Sequence, residues 1–122
     1  MSRPALLLVF LTIGLTAAGQ ALIKRGVLEV GASPGQFRQL PAFLGRALTN
    51  PSVALGLVCA VFAALAWIMA LSRTELSRAY PFMGLTFGVV LLLSALLFGE
   101  RVPATRWLGV LVICLGIWLA SR

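Results

Sequence analysis

The stretch Ser52–Leu71, SVALGLVCAVFAALAWIMAL, runs for 20 residues without a charged side chain and follows directly on Thr49-Asn50-Pro51. That length matches the roughly 20 mainly apolar residues an α-helix needs to cross a hydrocarbon layer about 30 Å thick. Asn50 is a helix-capping residue type and Pro51 suits a first helical turn, so the run has a start signal. Arg73 lies just beyond its end. The reading is a membrane-spanning helix over residues 52–71.

Working outward, the pattern recurs. Pro4–Ile23 is uncharged for 20 residues and stops at Lys24 and Arg25, and Ala79–Phe98 is a third such run. The fourth is shorter, because Trp107–Ala120 supplies only 14 apolar residues. A span over 103–120 requires Arg106 to extend its charged end to the interface. All 10 basic and 3 acidic residues lie at the ends of these runs or in loops, as expected where a charge in lipid costs about 3 kcal/mol or more. A chain that is 61% hydrophobic and 11% charged, with a mean hydropathy of +1.05, is too apolar for a water-soluble domain of this size. The expected fold is one all-α membrane domain over residues 1–122, with four transmembrane helices at 4–23, 52–71, 79–98 and 103–120. Arg3, an apolar run and Thr16-Ala17-Ala18-Gly19-Gln20 also outline a cleaved signal peptide. One leading basic residue and three further spans favour a retained helix.

The one sizeable loop, Lys24–Thr49, divides in two. Gly26–Gly35, with Gly31, Ser33, Pro34 and Gly35, reads as irregular. Residues 36–48 place Phe37, Leu40, Leu44, Ala47 and Leu48 at helical spacing, either as a helix lying in the interface or as an extension of the second span. Basic residues number four on the side of the termini (Arg3, Arg73, Arg78, Arg122) and six on the other (Lys24, Arg25, Arg38, Arg46, Arg101, Arg106). That bias is too small to assign an orientation. The net charge of +7 is spread over loop ends, which fits a membrane interface and not a nucleic-acid partner. Cys59 and Cys114 fall inside spans as small apolar residues.

Polar groups inside the spans are where function is sought, since each needs a partner or a watery cavity. Thr12, Thr16, Gln20 and Lys24 recur every four residues and so stack along one side of the first helix, with Gly19 beside them. They form either a polar track or a set of hydroxyls bonded back to their own helix, with Gln20 bridging to a neighbour. Gly84 and Gly88 in the third span are a small-xxx-small pair for helix packing, and Gly109 and Gly116 present a flat face for dimerisation. Tyr80, beside Pro81, is either an interface anchor or a ligand contact. Glu100 is expected to pair with Lys24, Arg101 or Arg106. With no His and no Asp, no Ser-His or Cys-His couple can form, no P-loop or cysteine pair at metal spacing is present, and neither an enzymatic activity nor a cofactor is expected.

The combination of Ala18-Gly19-Gln20 with Lys24, Arg78-Ala79-Tyr80-Pro81, Gly99-Glu100 and the Gly109 to Gly116 pattern resembles the four-helix branch of the drug/metabolite transporter superfamily. That branch comprises small multidrug resistance exporters and EamA-like flippase subunits, and it implies a small multidrug resistance-like fold acting as a dimer. Small multidrug resistance proteins carry a membrane-embedded Glu where this chain has Thr16. Gly19-Gln20 with Lys24, and Tyr80-Pro81, are instead similar to the subunits that flip aminoarabinose-phosphoundecaprenol for lipid A modification in the bacterial inner membrane. The resemblance implies a flippase for a polyprenyl-phosphate sugar. Thr12, Thr16 and Gln20 would line a groove, Lys24 and Arg25 would capture the phosphate, and Tyr80 would approach from the other end, with a second small four-helix subunit or a second copy as partner. The competing classes are an exporter of cationic compounds or polyamines and a non-transporting assembly subunit.

Overall fold

A computed structural model describes residues 2–31 and 35–122, and the regular elements among them are helices. Helix α1 is Arg3–Val30; a 3₁₀ turn at Phe37–Gln39 leads into α2, Leu40–Thr49; and α3 is Pro51–Leu71. A short α4, Leu76–Ala79, passes through 3₁₀ turns at Tyr80–Gly84 into α5, Leu85–Leu97, and α6 is Ala104–Ala120.

The packing inverts that of a water-soluble protein. Ala5, Ala17, Ala63, Ala66, Ala70 and Ala79 are at most 5% exposed, whereas Leu7, Leu96, Leu111 and Val112 are 65% or more exposed. Water would drive the large side chains inward. Helices that meet through small residues and turn bulky apolar ones outward are at equilibrium with lipid instead. Three helical segments, Arg3–Val30, Pro51–Leu71 and Leu76–Leu97, are long and apolar enough to cross a bilayer. The chain is a multi-pass membrane protein. Helix α6 has 17 residues and rises only about 25 Å, short of the usual span.

The most extensive helix contact is α1 against α3. It rests on glycine. A Cβ at Gly19 would lie 2.9 Å from the Gly56 carbonyl oxygen, and one at Gly56 would lie 2.7 Å from that of Gly19. Seven residues along α1, Gly26 meets Val53 and the Asn50 side chain at the start of α3 with no room for a methyl.

That contact corrects the expected first boundary. The first helix does not stop at residue 23 with an irregular segment from Gly26, but continues to Val30 and ends at Gly31, whose N–H returns to the Val27 carbonyl over 2.8 Å. Lys24 and Arg25 end the uncharged run but not the helix, because Gly26 lets α1 continue against α3. Ser33 and Pro34 lie outside the described residues. Residues 40–49 are helical but do not extend α3. Asn50 is extended, and its Oδ1 accepts from the N–H groups of Ser52 at 2.9 Å and Val53 at 3.3 Å, starting α3 afresh. The third segment begins at Leu76 and not at 79, so Tyr80 and Pro81 sit in the 3₁₀ stretch within it. Gly84 faces Ile113 and Ile117 of α6, and Gly88 faces Val110, while a Cβ at Gly109 or Gly116 would meet nothing within 4 Å.

Substitution at the crossing should therefore be costly. Gly56→Ala is expected to destabilise the detergent-solubilised protein by about 1–3 kcal/mol, because backbone cannot yield to the new methyl. Gly14→Ala, with nothing within 4 Å, should be neutral or stabilising by up to about 1 kcal/mol. Thermal unfolding of the pair checks the difference.

Candidate functional site

Between α1, α3 and the 3₁₀ stretch lies a cavity of about 260 Å³ lined by Thr12, Thr16, Gln20, Trp67 and Tyr80, among others. Its origin is local. Helix α3 offers Ala60, Ala63 and Ala64 on this side, and three methyl groups fill too little volume to close the gap to α1. Trp67 closes one end, its ring edge-on to Tyr80 with centroids 6.1 Å apart and planes at 67°. Met83 completes the wall.

Thr12 is 3% exposed, and its hydroxyl donates to the Leu8 carbonyl over 2.8 Å. It is thus satisfied within its own helix and keeps acceptor capacity toward the cavity. Thr16 is half-buried and Gln20 exposed, so both amide and hydroxyl are open to an occupant.

A second cavity, of about 240 Å³, is lined by Gln20, Lys24, Ser94 and Glu100 along with apolar residues of α1 and α5. Lys24 Nζ lies 4.0 Å from Glu100 Oε1, with the two side chains 49% and 44% exposed. Gln20 belongs to both cavities.

The residues spaced by four are therefore divided between two chambers. Each four-residue step advances about 40° around a helix of 3.6 residues per turn, so Thr12 and Lys24 differ by about 120°. Thr12 looks toward α3 and Lys24 toward α5, with Gln20 between them. Arg25, about 100° from Lys24, lines a separate crevice with Glu29, Leu97 and Phe98 and is not brought together with the others. Tyr80 reaches the first cavity within the same protomer.

Trp67 and Ser94 did not stand out as site residues in the sequence. A Trp near the end of an apolar run has the look of an interface anchor. The available signal was the stripe Ala60-Ala63-Ala64-Trp67, small residues followed by one large aromatic on a single helical face. On α5, the Thr86 hydroxyl is buried without a hydrogen-bond partner.

The model of the EamA-like transporter family matches residues 4–122. Among similar proteins are three named as probable 4-amino-4-deoxy-L-arabinose-phosphoundecaprenol flippase subunit ArnE. That of Serratia proteamaculans is 36% identical over 115 residues, covering 94% of this chain and 93% of the relative. That of Pseudomonas fluorescens is 32% identical over 118 residues, 97% of each. That of Yersinia pestis is 36% identical over 115 residues, 94% of each. No solved structure matches. The chain belongs to the EamA-like transporter family.

An ion pair so exposed adds little to folding. A double-mutant cycle with Lys24→Met and Glu100→Gln should yield a coupling energy of about 0.2–1 kcal/mol in thermal unfolding. A larger coupling would make the pair a structural strut.

Proposed function

We propose that this EamA-like protein is a flippase subunit that carries a polyprenyl-phosphate-linked sugar, such as aminoarabinose-phosphoundecaprenol, across the bacterial inner membrane. The observation that carries the reading is that Gln20 joins two chambers, one neutral and lined with hydroxyl, amide and aromatic groups, the other bearing Lys24. The substrate named for the relatives divides in the same way, into a phosphate and a sugar on an apolar tail.

The tail stays in lipid, while the headgroup has to cross a layer that strongly disfavours charge. Lys24 receives the phosphate at the mouth through a charge-assisted contact. Gln20 passes the sugar to the neutral chamber, where Thr16 and the acceptor side of Thr12 replace lost water, and the Trp67 and Tyr80 rings offer apolar faces to its C–H groups. Arg25, on another face at the same level, meets phosphates of the surrounding lipid. No residue of the chain makes or breaks a bond of the substrate in this scheme.

In the same reading the chain is a single domain over 1–122 whose helices cross the membrane four times, α6 completing its span through Arg106 at the interface. Helix α2 lies along the membrane surface, and Gly109 and Gly116 receive the corresponding helix of a second copy or of another four-helix subunit. A close partner there suits two glycines that face open space.

Replacing Lys24 by Ala should slow headgroup translocation in liposomes by about tenfold or more, the scale of one charged hydrogen bond. Thr16→Val should slow it severalfold while the protein still assembles. Translocation at wild-type rates in both variants would remove these residues from the path.

A further inference from the structure

We propose that Lys24 and Glu100 form a clamp for a zwitterion, a lipid phosphodiester that also carries a primary amine, with Lys24 on the phosphate and Glu100 on the ammonium. This rests on the flippase reading above and adds to it the group that decides which headgroup is accepted.

The charge balance of the second cavity carries the inference. Lys24 and Glu100 are the only charged residues among its described lining, so the chamber is neutral overall. Arg25 does not contribute to it, being in the crevice with Glu29. A purely anionic headgroup drawn to Lys24 would meet the Glu100 carboxylate 4.0 Å away, and a purely cationic one drawn to Glu100 would meet Lys24. A zwitterion replaces one loose ion pair with two and leaves the chamber neutral. The existing pair is easily opened, since its 4.0 Å separation is longer than a hydrogen bond and about half of each side chain is exposed.

Glu100 is also held in place by its backbone. The N–H groups of Phe98 and Glu100 both reach the Ser94 carbonyl at 3.2 Å, and the intervening Gly99 takes φ +63, a left-handed conformation that glycine adopts without a Cβ clash. This turn folds the chain back after α5, so that Glu100 stands opposite Lys24 of α1. Ser94, whose carbonyl anchors the turn, lines the same cavity.

Two lipids share the required chemistry, a polyprenyl-phosphate amino sugar and phosphatidylethanolamine. The test is equilibrium binding to the full-length protein in phosphatidylcholine nanodiscs, with three probes: polyprenyl-phosphate 4-aminoarabinose, its N-formyl derivative, and phosphatidylethanolamine. The wild type is expected to bind the free amine about tenfold more tightly than the N-formyl form. Glu100→Gln should abolish that preference, Glu100→Asp should retain part of it, and Lys24→Met should weaken both polyprenyl probes. A preference that survives Glu100→Gln, or equal binding of amine and N-formyl forms to the wild type, overturns the clamp and leaves the flippase reading standing. Binding of phosphatidylethanolamine alone, lost in Glu100→Gln, upholds the clamp and overturns the sugar-lipid reading. Binding of none of the three overturns both.

Discussion

The backbone contact between α1 and α3 at Gly19 and Gly56 is the constraint from which the remaining geometry follows. In lipid, burying apolar side chains provides no drive for two helices to associate, so close approach and dispersion have to hold them. Here each glycine sits where a methyl would press on the other's carbonyl oxygen. Toward the start of α1 the two helices remain close enough to share a wall, yet the alanines of α3 leave the gap that becomes the first cavity. Toward its end, Gly26 seats on Asn50 and Val53 and keeps α1 helical beyond Lys24. That continuation holds Lys24 on a rigid element facing α5 instead of on a loop.

The same geometry separates chemistry by polarity. The chamber that runs along the α1–α3 side has hydroxyls, an amide and aromatic rings but no charge, while the charged pair belongs to the second chamber, with Lys24 inside α1 and Glu100 just beyond α5. Such an arrangement avoids the cost of carrying an ionised side chain in hydrocarbon. It also distinguishes this chain from a pattern with a membrane-embedded carboxylate at the position of Thr16. Asn50 ties the two ends of the long connection together, since its Oδ1 caps α3 while its Nδ2 donates to Glu29 of α1 over 3.0 Å.

Much of this was legible in the residues alone, for reasons that differ from one feature to the next. The lengths of the uncharged runs announce a membrane protein because the cost of a charge in lipid is a property of the residue, whatever it packs against. The cap at Asn50 was readable because its bonds reach only two and three residues along the chain. The helix ends at Val30 and Leu76 were not, since charge reports where water begins and a helix continues through that boundary when its backbone groups stay paired. Trp67 and Ser94 carry no site signal of their own, because a Trp near a span end and a Ser among the polar residues of a span are ordinary in membrane helices.

What the sequence by itself determined is the membrane setting, the apolar segments, the family branch and the polar residues spaced by four along α1. What only the tertiary structure decided is how those residues are shared out. A four-residue repeat drifts by about 40° at each step, so whether Thr12 and Lys24 face one chamber or two depends on where α3 and α5 stand around α1. Those positions are set by the glycine crossing and the Gly99 turn, contacts between residues distant along the chain or a backbone conformation that spacing does not encode.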